Sequence, residues 1–195
     1  IKVNFDPYVV VLLNSNVSHN LASSEYNVRR DECDTALAAI KKKYPNYHFL
    51  TEIPIKVVEE FKNVLPVKIY NRALYVTQEN KRTLKAVNYL KDRDLNGFGE
   101  CLYKSHHGLQ HLYEVSCKEL DFLVAQTKAL DFVVGSRMMG GGFGGCTINI
   151  VHKDKVGEFI ENVSAAYEEK HAIKLSSIIT TISDGVKKIE YGVSN

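Results

Sequence analysis

The sequence predicts an α+β domain, an antiparallel sheet with helices packed on one face, and three observations predict it. A buried-strand run, Tyr8-Val9-Val10-Val11-Leu12-Leu13, stands near the start of the chain. Helical periodicity fills the middle. Short apolar runs then return on either side of a glycine-rich stretch, Asp131 to Val134 before it and Thr147 to Val151 after it, and two more close the chain. The first strand and the last four would form the sheet.

The helices follow from spacing. After a polar stretch from Asn14 to Ser24, apolar residues recur from Tyr26 at Cys33, Leu37, Ile40 and Tyr44, with Ser23 or Ser24 available as N-cap and Pro45 as terminator. Pro54 opens a shorter helix carrying Ile55, Val58, Phe61 and Leu65. Residues 67–93 read as a long helix whose middle, Thr77 to Thr83, is polar enough to be exposed. Leu95, Phe98, Leu102, Leu109 and Leu112 mark the next. Ser116 with Glu119 fits a capping box ahead of a helix through Leu120, Leu123, Val124 and Leu130. Val156, Phe159, Ile160, Val163 and Tyr167 define the last helix, and Ser176 to Ser183 with Val186 to Tyr191 read as strands around Asp184-Gly185.

Composition excludes several functions. At 195 residues, 45% hydrophobic and 25% charged, the chain can bury the core of one domain. Its 25 basic and 23 acidic residues leave a net charge of +2, no field for a polyanion, so nucleic acid is not an expected partner. Cys33, Cys101, Cys117 and Cys146 lie far apart without a C-x-x-C pair and read as reduced core thiols. The longest clean apolar run is too short to cross a bilayer and no charged-then-apolar leader precedes it, so the expectation is no membrane partner and a cytoplasmic location. The chain starts at Ile1 without methionine, and Ile1, Val3 and Phe5 alternate with polar residues as if a strand were under way. That suggests a piece of something longer.

The densest signal is Gly135-Ser136-Arg137-Met138-Met139-Gly140-Gly141-Gly142-Phe143-Gly144-Gly145-Cys146. Glycine loses more conformational entropy on folding than any other residue, so clustering it requires a compensating close approach to a ligand or another backbone. One reading is a phosphate cradle of backbone N–H groups. Spacing alone favours the other, a tight interdomain or hairpin packing loop, because no lysine follows and no helix N-terminus comes next. Arg137 alone reads as a structural ion pair. Tyr26 fits its helix's apolar face and, on spacing, a core aromatic. His106, His107 and His111 read as exposed helix histidines and not as a metal site. Arg29, Arg30 and Lys41-Lys42-Lys43 read as solvated helix charges. No serine or cysteine has the neighbours of a nucleophile, so no catalytic residue is expected in this chain.

Three blocks, in order, resemble the galactokinase family: Asn14 to Val17 with His19 and Leu21 to Arg30; Tyr113-Glu114-Val115-Ser116-Cys117 with Glu119-Leu120-Asp121; and Gly135 to Met138 with Gly140 to Cys146. The glycine block resembles the third shared motif of the wider sugar, homoserine, mevalonate and phosphomevalonate kinase superfamily. The resemblance implies that residues 1–195 are a C-terminal domain, in a family that transfers the ATP γ-phosphate to the C1 hydroxyl of galactose. The family's N-terminal domain carries a sugar-contacting G-R-x-N-L-I-G-E-H motif, a G-L-S-S-S phosphate loop and the aspartate proposed as base. None of these is in the sequence, so ATP and Mg²⁺ would be bound mainly by a domain missing from it. By the same resemblance Tyr26 hydrogen-bonds galactose, while Gly140, Gly141, Gly142, Gly144 and Gly145 support the phosphate region. Partners implied are galactose, ATP and the chain's own N-terminal domain. The isolated piece would be inactive. Alternatives in the same scaffold are a sugar-sensing regulator without turnover and an N-acetylgalactosamine kinase; a ligand-free interaction domain would instead bury Tyr26 and the glycine loop in its own core. Met139 stands where the family usually has threonine, Lys118 where proline is common, and Leu112 where aspartate is frequent.

Overall fold

The computed structural model describes residues 5–17, 22–180 and 182, without the side chains of residues 22 and 23. Strand β1 (Tyr8–Asn14) lies inside a four-stranded antiparallel sheet of order β2-β3-β1-β4, with β2 (Val133–Met138), β3 (Cys146–His152) and β4 (Ser176–Thr180). Its register pairs Tyr8 with His152 and Asn14 with Cys146 on one side, and Val10 with Thr180 on the other. A strand flanked on both sides needs an almost unbroken apolar run, which Val9 to Leu13 supplies. β4 forms one edge, exposed throughout. The expected strand from Val186 to Tyr191 lies outside the described residues, as do residues 1–4 of the alternating start.

Helices α5 (Lys118–Thr127) and α6 (Val156–His171) cover one face of the sheet. Val156, Phe159, Val163 and Tyr167, one stripe of α6 at helical spacing, close on Val11, Leu13, Val133, Val151 and Leu123. A second core lies among α1 (Ala22–Lys41), α2 (Ile55–Glu59) and α3 (Val67–Lys91), where Ala36, Ile40, Val58, Phe61, Tyr70 and Ala73 meet. Pro54 and Pro66 stand just before α2 and α3, in the extended conformation of a residue outside the first turn. α1 starts earlier than its apolar pattern suggests, so Ser23 and Ser24 are helical and do not cap it, and it stops at Lys41, short of Pro45.

Helix α4 (Leu95–His111), capped by Asp94 through the Gly97 N–H at 2.8 Å, runs along the outer edge of β2. The approach is so close that a β-carbon on Gly99 would sit 1.8 Å from the Val134 carbonyl oxygen, and one on Gly135 2.6 Å from the Gly99 α-carbon. A helix laid there protects an edge that would otherwise offer unpaired backbone groups.

Two local expectations fail for physical reasons. The polar middle of α3 is only partly exposed: Thr77 is buried, and Glu79 and Arg82 are half-buried under α4, their charges paired with each other and with Arg137. The capping box does not form, because Cys117 is the N-cap residue of α5 and the Ser116 hydroxyl donates to the Asp121 carboxylate at 2.5 Å. The cysteines are free thiols, but only Cys101 is buried; the other three are half-buried.

Candidate functional site

The glycine loop, residues 139–145 between β2 and β3, is gripped by backbone from two distant parts of the chain. On one side the Phe143 N–H donates to the Val115 carbonyl at 2.7 Å, and a β-carbon on Gly142 would lie 2.2 Å from that oxygen. On the other, one on Gly144 would lie 2.4 Å from the Val17 carbonyl oxygen, and the Ser15 N–H and hydroxyl both donate to the Gly145 carbonyl, at 2.9 and 2.8 Å. Gly142 and Gly144 also have φ of +91° and +138°, which side chains resist. Gly140, Gly141 and Gly145 face open space, where an added β-carbon would meet nothing within 4 Å. The loop therefore has an internal half that packs and an outer half of bare, exposed backbone.

The wall at Val115 is held by two buried arginines. Arg29 of α1 donates to the Tyr113 and Glu114 carbonyls, each at 2.8 Å, and its guanidinium lies 5.8 Å from the Phe143 ring centroid. Arg72 of α3, 1% exposed, bonds the Leu112 carbonyl and pairs with the Glu32 and Glu114 carboxylates at 2.6 Å each. Glu114 takes a left-handed φ of 54° at this turn, and the hydrogen-bonding Arg72 guanidinium holds its carboxyl below the usual range. Four donated bonds to three residues fix a strained turn. Burial raises the Tyr113 hydroxyl pKa and pushes that of Tyr75, whose ring lies 4.8 Å from Tyr113, up to about 12, so both phenols stay neutral.

Tyr26 precedes Arg29 by one helical turn, on the same helix whose Arg29 touches Phe143 of the loop. It is 58% exposed, which removes the core-aromatic reading and leaves its ring and hydroxyl accessible beside the loop's supporting wall. The head of α1 and the glycine loop thus sit on one side of the molecule. The polar stretch after β1 contributes Ser15, buried against Gly145, and Asn16, whose amide donates to the Lys174 carbonyl at 2.8 Å; residues 18–21 lie outside the described residues.

Behind the loop, His106 of α4 is buried, accepting the Met138 N–H on Nδ1 at 3.2 Å. Its Nε2 lies 3.2 Å from Asp121 Oδ1, a charge-pairing distance, without the alignment of a good hydrogen bond. Burial opposes the Asp121 carboxylate, but His106 and Ser116 outweigh it and hold its pKa below the ordinary value.

Residues 86–169 match the family model described as GHMP kinases C terminal. Over those residues the chain is similar to the C-terminal part of GHMP kinases. It is 45% identical to the galactokinase of Clostridium acetobutylicum over 190 residues, 96% of this chain and 48% of that protein. Identity to the Thermotoga maritima galactokinase is 38% over 189 residues, 97% of this chain and 51% of that one. The chain spans about half the length of the curated relatives it matches. Among solved structures, Lactococcus lactis galactokinase complexed with galactose superposes with a TM-score of 0.89 at 30% identity, covering 97% of this chain and 49% of that one. Mevalonate kinase of L. major in complex with R-mevalonate gives 0.52 at 16% identity over 95% of this chain and 46% of that one, a likeness of fold alone.

The structure corrects two readings of charged residues. Arg29 is no solvated helix charge, since burial against the turn at Tyr113 and Glu114 gives it a structural task; Arg30 beside it is exposed. His106 is interior because α4 turns it onto the edge of β2, whereas His107 and His111 are exposed and stack at 4.5 Å. Lys41, Lys42 and Lys43 are exposed as expected. Arg137 is the structural ion pair expected, 3.5 Å from Glu79 and bonded to the Met138 carbonyl. Among the described residues no group of three or more His, Cys, Asp or Glu side chains could hold a metal ion, and no helix is long and apolar enough to cross a membrane. Sequence reasoning missed Arg72 and Gly99. The one available signal for Arg72 was a lone charge between apolar residues of α3.

Proposed function

We propose that this chain is the C-terminal half of a galactokinase, which moves the γ-phosphoryl group of ATP to the C1 hydroxyl of galactose with Mg²⁺. The observation that supports the reading is that Arg29, one turn after the exposed Tyr26, lies 5.8 Å from the Phe143 ring of a loop whose Gly140 and Gly141 are open. The 45% identity to a galactokinase supports the substrate pair. Tyr26 orients the sugar through its hydroxyl. Gly140, Gly141, Gly142, Gly144 and Gly145 brace the phosphate end, with Gly142 and Gly144 packing inward, Gly145 tied by its backbone to Ser15 and Val17, and Gly140 and Gly141 presenting backbone to the cleft.

The acid–base and metal-holding groups belong to an N-terminal domain outside residues 1–195, and bound Mg²⁺ would neutralise charge developing on the transferred phosphoryl. This chain supplies positioning, so it lacks turnover alone. Four free thiols fit work in the reducing cytoplasm. The test is a Tyr26→Phe substitution in the two-domain parent. Losing one hydroxyl to a sugar costs about 1–2 kcal/mol, or roughly a tenfold rise in KM for galactose, with KM for ATP unchanged. Equal effects on both, or none, would sink the assignment of Tyr26. Galactose phosphorylation by the isolated chain would sink the division of labour.

A further inference from the structure

We infer that His106 is a positioning residue for the nucleotide end of the reaction, closing a ring of hydrogen bonds and one close imidazole–carboxylate contact around the glycine loop. Around that ring, His106 Nδ1 holds the Met138 N–H where the loop begins, and Phe143 inside the loop donates to Val115. Val115 leads directly to Ser116, whose hydroxyl bonds Asp121 Oδ1, and that same oxygen lies 3.2 Å from His106 Nε2. The strand residue ahead of the loop and the loop's packed half are thereby tied to one imidazole and one carboxylate.

The chemistry fixes the tautomer. Because Nδ1 accepts a backbone N–H, the single proton of neutral His106 sits on Nε2, facing the carboxylate that balances it. A hydrophobic residue of similar size would fill the space but leave the Met138 N–H and a buried carboxylate oxygen without that partner. His106, its side chain 5% exposed, is too deeply buried to meet a ligand from the loop's open side and acts through backbone. Such second-layer contacts, locking the geometry of groups that do touch the ligand, are how a site is kept within a fraction of an ångström of its working shape.

This rests on the reading that the glycine loop braces the ATP phosphates, and the experiment separates the two. In the two-domain parent, KM for ATP, KM for galactose, kcat and Tm are measured for Gly142→Ser, His106→Leu, His106→Asn and Ser116→Ala. Asparagine can place its Oδ1 near the position of Nδ1 and keep the Met138 bond. The expected result is a KM for ATP raised about tenfold by His106→Leu, restored at least halfway by His106→Asn, raised about threefold by Ser116→Ala, and a KM for galactose within twofold throughout. The effects of His106→Leu and Ser116→Ala should combine to less than their product, since both open one ring. If His106→Leu does not fold, the Ser116→Ala arm decides alone. The inference falls if leucine and asparagine are equally impaired, if both KM values move together with Tm, or if KM for ATP stays within twofold while Gly142→Ser raises it. If Gly142→Ser leaves KM for ATP unchanged, the underlying reading of the loop falls instead.

Discussion

Adjacent glycines of the loop should respond oppositely to the same added methyl group. In Gly142→Ala the new β-carbon would stand 2.2 Å from the Val115 carbonyl oxygen, less than contact distance by about an ångström, at a φ of +91°. Left-handed backbone costs an L-residue about 1–2 kcal/mol, and relieving the overlap breaks the Phe143 N–H bond to Val115, about 1 kcal/mol more. The wall cannot retreat cheaply: the Val115 N–H is bonded to the Leu109 carbonyl at 3.0 Å, and Arg29 holds Tyr113 and Glu114. A loss of about 2–4 kcal/mol follows. In Gly141→Ala the β-carbon meets nothing within 4 Å and φ is not positive, so the reduced freedom of the unfolded chain should stabilise by up to about 1 kcal/mol. Urea unfolding of the chain, with both variants compared at equal m-values, reads the difference directly. Midpoints for the two that agree within about 0.5 kcal/mol, or that fall in the reverse order, would refute the account of the loop as half packed and half open.

Replacing Arg72 with methionine removes the nearer of two guanidinium groups from Glu32, leaving only Arg29 at 3.7 Å, and takes the partner at 2.6 Å from Glu114, so urea unfolding should register a loss of about 3 kcal/mol. The carboxyls of Asp121 and Glu114 are held below their ordinary values in the folded state, by His106 and Ser116 against burial for the first and by Arg72 for the second. The unfolded chain therefore binds their protons more readily, so stability present above about pH 4–5 should decline as pH falls further, and Asp121→Asn should flatten that decline in acid-titrated thermal melts. Burial pushes the Cys117 thiol up to about 11 and raises those of Cys33, Cys101 and Cys146, so at pH 8 a disulfide reagent should label the folded chain far more slowly than the urea-unfolded one.

Elements whose cause is local were legible. β3 and α6 follow from a short β-branched run and a helical stripe, the run at Asp131 to Val134 marks only the first two residues of β2, which continues through Gly135 to Met138, and the glycine block announced a close approach before its partner was known. What the sequence could not disclose is which backbone does the approaching, because Val17 and Val115 contribute carbonyl oxygens that every residue type owns. Arg29 and His106 were misread for a related reason: the backbone groups that bury them are 84 and 32 positions away, and no local pattern discloses those. Tyr26 shows the opposite failure. Its spacing matches the apolar face of α1, yet the helix leaves it 58% exposed, so periodicity named the wrong side. Thr77 to Thr83 misled because a polar stretch can be covered when a neighbouring helix brings its own hydroxyl and counter-charges.

Arg29 comes from α1 and Arg72 from α3, yet both clasp the same few peptide groups ahead of Val115. The helical layer is thus the foundation on which the glycine loop stands, although it contributes nothing to the loop's own chain. A lesion deep among α1, α2 and α3 would be felt first as a sagging of that loop, so a defect at the loop can originate in a core it never touches.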